Sequence, residues 1–143
     1  MRQVPQVSFI TRQSPFRIPH KNRVRTWLSK VIQMEKYTLK ELNIILIDNK
    51  GITKLNKKYL NHSYPTDIIT FDNSDKRKEI EGDIFVGIEV VKENAKLYKV
   101  LIFNELCRII VHGVLHLMNY NDKSRRQQLR IRAKEEYYLR MFK

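Results

Sequence analysis

The stretch VLIFNELCRIIVHGVLHLMN, residues 100–119, is apolar on almost every side of a helix. A helix of that kind belongs in the core and not on the surface, because no face of it is suited to water. It fixes the centre of the molecule, and the remaining segments must pack around it. No uninterrupted apolar run reaches the roughly 18 residues of a membrane span, and the N-terminus lacks the apolar core of a signal peptide. The expectation is a cytoplasmic protein with no membrane partner.

The flanking segments supply the packing layers. Pro5, Pro15 and Pro19 bracket a strand candidate at Val7–Thr11 and a turn at Ser14–His20. Asn22 is placed to cap a helix in which Val24, Trp27, Leu28, Val31, Ile32 and Met34 recur at helical spacing through about Lys36. LNIILI (42–47) reads as a buried strand ended by Asn-Lys-Gly, and ITKLNKKYL (52–60) as a helix. DIITF (67–71) and GDIFVGIEV (82–90) read as two strands joined by the charged stretch 72–81. Beyond Lys92 the chain turns helical, and 123–142 forms a charged helix with a stripe of Leu129, Ala133, Tyr137 and Met141. At 143 residues these elements predict one α+β domain, 1–143. Its small mixed four-stranded sheet is packed by helices concentrated in the C-terminal half.

Charge narrows the choice of partner. Twenty-eight Lys and Arg against fifteen Asp and Glu give +13, and a small domain this basic is drawn to polyanions, most often nucleic acid. The cations are spread along the chain and not gathered on one amphipathic anchor, which disfavours a membrane surface. The single cysteine, Cys107, excludes an internal disulfide and a zinc ribbon, and its apolar setting makes it an inert buried thiol.

His112 and His116 stand four positions apart on the core helix. That spacing sets them about 40° apart in projection, so both can reach one metal, although two unrelated histidines can share it. Imidazoles on so apolar a helix need partners. Asn119 suits the left-handed conformation that ends a helix, and the turn can swing Asp122 back to the same point. Two imidazoles, a carboxylate and an open fourth position make a catalytic type of zinc site, one Zn2+ per chain.

HGVLHLMNYND (112–122) resembles the H-G-x-L-H-L-x-G-Y-D-H signature of the YbeY-type endoribonucleases, bacterial ribosomal-RNA maturation factors. LNKKYLNHSYPTDIITF (55–71) is similar to that family's second motif, and EGDIFVGIEVVKENA (81–95) to its third. The resemblance implies a single-strand-preferring, metal-dependent endoribonuclease acting in ribosomal RNA maturation at the small-subunit 3′ end and in ribosome quality control. Its partners would be ribosomal RNA and the ribosome, with no small-molecule cofactor. It puts His112 and His116 at the first two zinc-ligand positions, and Asp122 at the third, where most members have histidine. Asn119 replaces the usual glycine and Asn121 an aspartate. Leu60 stands where the family has an arginine thought to act in cleavage; Arg108, Lys57 and Lys58 are the candidate substitutes.

Asp67, in the Pro-Thr-Asp motif, either positions the attacking group or fixes the turn after Pro65. Tyr59, Tyr64 and Tyr120 are candidates for stacking on unpaired bases or for ordinary packing. His62 has no assigned role, and His20 falls outside the site. No glutamate follows His112, so the general base of an H-E-x-x-H protease is missing. A zinc-stabilised RNA-binding ribosome assembly factor without catalysis is the alternative, and the loss of arginine at position 60 favours it. A small-molecule hydrolase would fit the site but leave +13 unexplained.

Overall fold

The computed structural model describes residues 6–142, and Pro5 lies outside them. The elements run β1 (Val7–Arg12), α1 (Lys21–Met34), β2 (Thr38–Ile47), α2 (Asn49–Leu60), β3 (Ile68–Asp72), β4 (Glu79–Gly87), α3 (Ile88–Tyr98), α4 (Ile102–Leu117) and α5 (Arg125–Arg140). The strands form one sheet in the order β1-β2-β4-β3. β1, β2 and β4 are parallel, with Ile44 beside Ile84, and β3 runs antiparallel to β4 with Ile68 opposite Val86. This is the expected α+β class with a mixed four-stranded sheet.

Alternation along the strands explains the layering. Val7, Leu42, Ile44, Leu46, Ile84 and Val86 point into the main core, where they meet Leu28 and Val31 of α1, Val91 of α3, and Ile110 and Val114 of α4. Ile47 and Ile69 point the other way, under Ile52 of α2, with Leu55, Phe71 and Phe85 around them. The end of β2 is therefore covered on both sides, which is why LNIILI reads as a continuous apolar run. α4 is the buried helix its composition demands, from Leu106 to Leu117. Gly113 lets it lie close on the sheet: a Cβ there would stand 2.6 Å from Ile68 Cδ1 and 3.2 Å from Ile84 Cδ1. Among the described residues no single helix is long and apolar enough to cross a membrane.

Several local expectations are corrected. Asn22 does not cap α1; the N-cap position is His20, in the left-handed region and without a side-chain capping bond, and the Asn22 side chain instead accepts from Arg25 at 2.7 Å. Asn-Lys-Gly does not separate β2 from α2 but forms the first turn of α2, whose N-cap Asp48 accepts from the Gly51 amide at 2.8 Å. The segment 82–90 is not all strand, because β4 starts at Glu79 and yields to α3 at Ile88. On α5 the stripe is misplaced except at Met141, which packs on the core: Leu129 and Tyr137 are exposed, as is Ala133, and Ile131, Glu135 and Tyr138 are buried. Met34 ends α1 in solvent. Cys107 is buried, and burial pushes its thiol up to about 12, consistent with an inert side chain.

Candidate metal centre

Two local devices fix the turn after α4. Its C-cap is Met118, followed by Asn119 at φ 70°. The Asn119 amide donates to the His116 carbonyl at 3.0 Å and the Tyr120 amide to the Leu115 carbonyl at 3.0 Å, the paired bonds of a Schellman ending. α5 opens with a capping box: Ser124 Oγ accepts from the Gln127 amide at 3.1 Å, and Gln127 Oε1 accepts from the Ser124 amide at 3.0 Å. Gln128 Nε2 adds a bond to the Asp122 carbonyl at 3.0 Å. Asp122 is thus held between a closed helix end and a closed helix start.

The result brings the three predicted ligands together. His112 Nε2 and His116 Nε2 are 2.9 Å apart, and Asp122 Oδ2 lies 3.6 Å from the first and 3.3 Å from the second. Each imidazole is oriented through its other nitrogen. His112 Nδ1 donates to Glu135 Oε2 at 2.6 Å, and His116 Nδ1 donates to the Tyr120 carbonyl at 2.9 Å. With both Nδ1 atoms protonated for these bonds, neutral rings turn two bare Nε2 lone pairs toward each other and toward a carboxylate. Such an arrangement is repulsive without a cation. The ligand atoms of a tetrahedral zinc stand roughly 3.3 Å apart, so the donor set fits a divalent metal in chemistry and in span. Burial opposes a charged His112, but the Glu135 hydrogen bond and the charges of Glu135, Asp122 and Asp67 outweigh it and raise its pKa.

Glu135 is the residue that sequence reasoning missed. Only 7% exposed, it sits on the inner face of α5 between Ile131 and Tyr138. A carboxylate behind a metal-binding histidine fixes the ring and its tautomer. The signal was a glutamate four residues after one buried position and three before another, on a stripe passed over for a more apolar one. Arg108 faces the same group: its guanidinium reaches Glu135 Oε1 at 3.4 Å, Glu136 Oε1 at 2.7 Å and Glu105 Oε1 at 3.9 Å. Burial lowers its pKa, and the two hydrogen-bonded glutamate charges more than restore it.

Asp67 stands at the head of β3, half-buried, with its carbonyl accepting from the Gly87 amide at 2.9 Å. The LNKKY motif explains how the loop before it is set: Asn56 Nδ2 donates to the Tyr64 carbonyl at 2.9 Å. Burial raises the pKa of Asp67, while the neighbouring His112 lowers it in part. Leu60 is half-exposed at the end of α2, beside exposed Lys57 and Lys58. Tyr59 and Tyr64 are exposed, the latter stacked on His62. Tyr120 is not free to stack, since its hydroxyl donates to Glu35 Oε1 at 2.6 Å and Arg130 covers its ring. His20 packs edge-on against Phe103 in α4's first turn, apart from the cluster.

The family profile described as Endoribonuclease YbeY matches residues 9–143. The chain belongs to the YbeY family. An Endoribonuclease YbeY of Cytophaga hutchinsonii is 39% identical over 96% of this chain and 96% of its own length. That of Karelsulcia muelleri is 43% identical over 79% of both chains. The solution structure of TM1509 from Thermotoga maritima superposes with a TM-score of 0.65 at 22% identity, covering 93% of this chain and 86% of that one, a likeness of fold. Within the YbeY family frame, the candidate metal-binding group comes from the end of α4 and the turn that follows it, and its supporting carboxylate from α5.

Proposed function

We propose that this chain is a zinc-dependent endoribonuclease that cuts single-stranded RNA internally, in the cytoplasm, during ribosomal RNA maturation on or near the ribosome. The observation that carries the reading is the convergence of His112, His116 and Asp122 in a family member carrying +13. These three residues hold the metal, which when bound supplies a Lewis acid to a phosphoryl oxygen. Glu135 keeps the His112 ring turned toward it. Asp67 lies on the wall of the site and contacts the substrate strand. Lys57, Lys58, Arg125, Arg126 and Arg132, all exposed, hold phosphates. Arg108 acts as a positioning residue: with Glu135 and Glu136 answering its charge, it braces Glu135 and does not replace the arginine absent at position 60.

The test is metal-loaded protein incubated with ribosomal RNA beside a His116→Ala variant purified in the same way. Internal cuts should be lost together with the metal. Identical traces from both proteins would mean contamination, and Leu60 would then favour the alternative of a zinc-stabilised assembly factor without catalysis. Dialysis against a mild chelator followed by elemental analysis tests the ligand set. Asp122→Ala should lose metal and Asn121→Ala should keep it; full occupancy in Asp122→Ala would remove Asp122 from the site.

A further inference from the structure

Beside the metal-binding group lies a cavity of about 360 Å³, lined by Asp67, Asn94, Tyr98, Arg132 and Glu135 among others. Glu135, which supports His112, forms part of its wall, so the cavity abuts the site and is not a remote pocket. Its size is at the low end of small-molecule pockets, roughly 300–1,000 Å³, suited to one nucleotide unit and too small for a helix of nucleic acid.

Its charge runs against that of the chain. The lining carries four carboxylates, on Asp67, Glu105, Glu135 and Glu136, against the guanidiniums of Arg108 and Arg132. In a protein of +13, this is a place where phosphate is disfavoured. A strand whose backbone follows the basic surface would put an uncharged part here, and the uncharged part of RNA is the base. Three of the carboxylates are already paired with Arg108. Asp67 is not: its side-chain partner is the Thr66 hydroxyl at 3.4 Å, and it lines the cavity without an ion pair to Arg108. Tyr98 and Asn94 are one helical turn apart on α3, and Tyr98 is 60% exposed, so the cavity has a free aromatic ring and an amide on one side.

We infer that this cavity is a base-reading subsite for an unpaired guanine, with Asp67 on its Watson–Crick edge and Tyr98 against its face. The choice of base follows from donors. Guanine presents N1–H and an exocyclic N2 amino group side by side, which two carboxylate oxygens can accept together. Adenine, cytosine and uracil place an acceptor next to each donor on that edge, so none offers a carboxylate two adjacent donors. Arg132 at the cavity is placed for the adjoining phosphate. The inference rests on the endoribonuclease reading above and names which nucleotide that site receives.

The probe is a short fluorescent oligouridine carrying one central guanosine, compared with the same strand carrying inosine, which lacks the N2 amino group, and with plain oligouridine. Binding to the wild-type protein is followed by anisotropy, with strand integrity checked on a gel. The guanosine strand should bind roughly tenfold tighter than the inosine strand. Asp67→Asn should abolish that difference. Tyr98→Ala, at an exposed position that leaves the fold intact, should weaken all the strands, the guanosine one by about tenfold. Equal affinity for the three strands, or unaltered affinities in Tyr98→Ala, would overturn the subsite alone. Failure of every strand to bind would overturn the RNA reading with it.

Discussion

Two glutamates, Glu35 and Glu135, close polar clusters near the turn that carries Asp122, and their surroundings differ in one respect. Glu35, at the end of α1, accepts from Tyr120 Oη at 2.6 Å, from Lys134 Nζ at 2.9 Å and from the Tyr138 hydroxyl. Glu135, on α5, accepts from Arg108 and from His112 Nδ1. Glu35 gathers donors from the turn and from α5, Glu135 two donors from α4. Those around Glu35 have no further task beyond joining α1, α5 and the turn. One donor to Glu135 is an imidazole whose second nitrogen faces the candidate metal position. The same carboxylate chemistry thus serves the fold in one region and the site in the other. They touch at one remove, because the Tyr120 held by Glu35 offers its carbonyl to His116.

The comparison can be broken at Glu135 first. Glu135→Gln should lower metal affinity about 10- to 100-fold, the usual cost of losing a carboxylate behind a ligating histidine, with little change in thermal stability. A competition titration against a chelating dye, run beside a melting curve, reads both. If the melting temperature falls and metal affinity does not, Glu135 belongs with Glu35.

Glu35→Gln should show the reverse, losing about 2 kcal/mol of stability as charge-assisted bonds from two hydroxyls and an ammonium are weakened. Its metal affinity should stay within about threefold of wild type. Urea denaturation of both proteins gives the first quantity and the same dye the second.

Acid sharpens the contrast. Burial tends to raise the Glu35 pKa, but the bonds from Tyr120, Tyr138 and Lys134 prevail and hold it below the ordinary glutamate value. A depressed carboxyl stabilises the fold fully above its unfolded pKa, about 4.3, and the stabilisation is lost as pH falls through the folded value. The stability gap between wild type and Glu35→Gln should therefore be constant from neutral pH down to about 5 and narrow below about 4. A gap that widens in acid would contradict this assignment.

The smallest effect concerns the turn itself. Asn119 already tolerates a positive φ, so Asn119→Gly should change stability by a few tenths of a kcal/mol at most and leave metal affinity alone. Lys36, also at positive φ but with no such tolerance, should gain about 0.5–1 kcal/mol as Lys36→Gly, less the extra freedom of the unfolded chain.

How much was legible depended on how far apart the interacting residues are in the chain. The buried course of α4, its end at Asn119 and the pairing of His112 with His116 follow from composition and from spacing within one turn. The stripe on α5 did not follow. Leu129–Ala133–Tyr137 and Ile131–Glu135–Tyr138 are both regular helical faces, and hydrophobicity alone selects the first. The structure selects the second because Trp27 Nε1 donates to the Tyr138 carbonyl at 2.7 Å and His112 requires an acceptor, so a glutamate displaces a leucine from the buried side. Arg108 stands one turn from His112, which makes it a candidate substitute for the arginine missing at position 60; that its guanidinium pairs with Glu135 and Glu136 depends on another helix.

The sequence by itself determined the convergence of His112, His116 and Asp122, the candidate metal ligands, since two residues on one helix and a third just beyond its cap are related by backbone geometry that local chemistry enforces. Only the tertiary structure decided what stands behind that triad. Glu135 lies 23 residues from His112, and Glu35 85 from Tyr120, and each meets its partner through the rotation of a packed helix about its own axis. That rotation is set by the sum of core contacts and hydrogen bonds across α1, α4 and α5, and no single segment carries it.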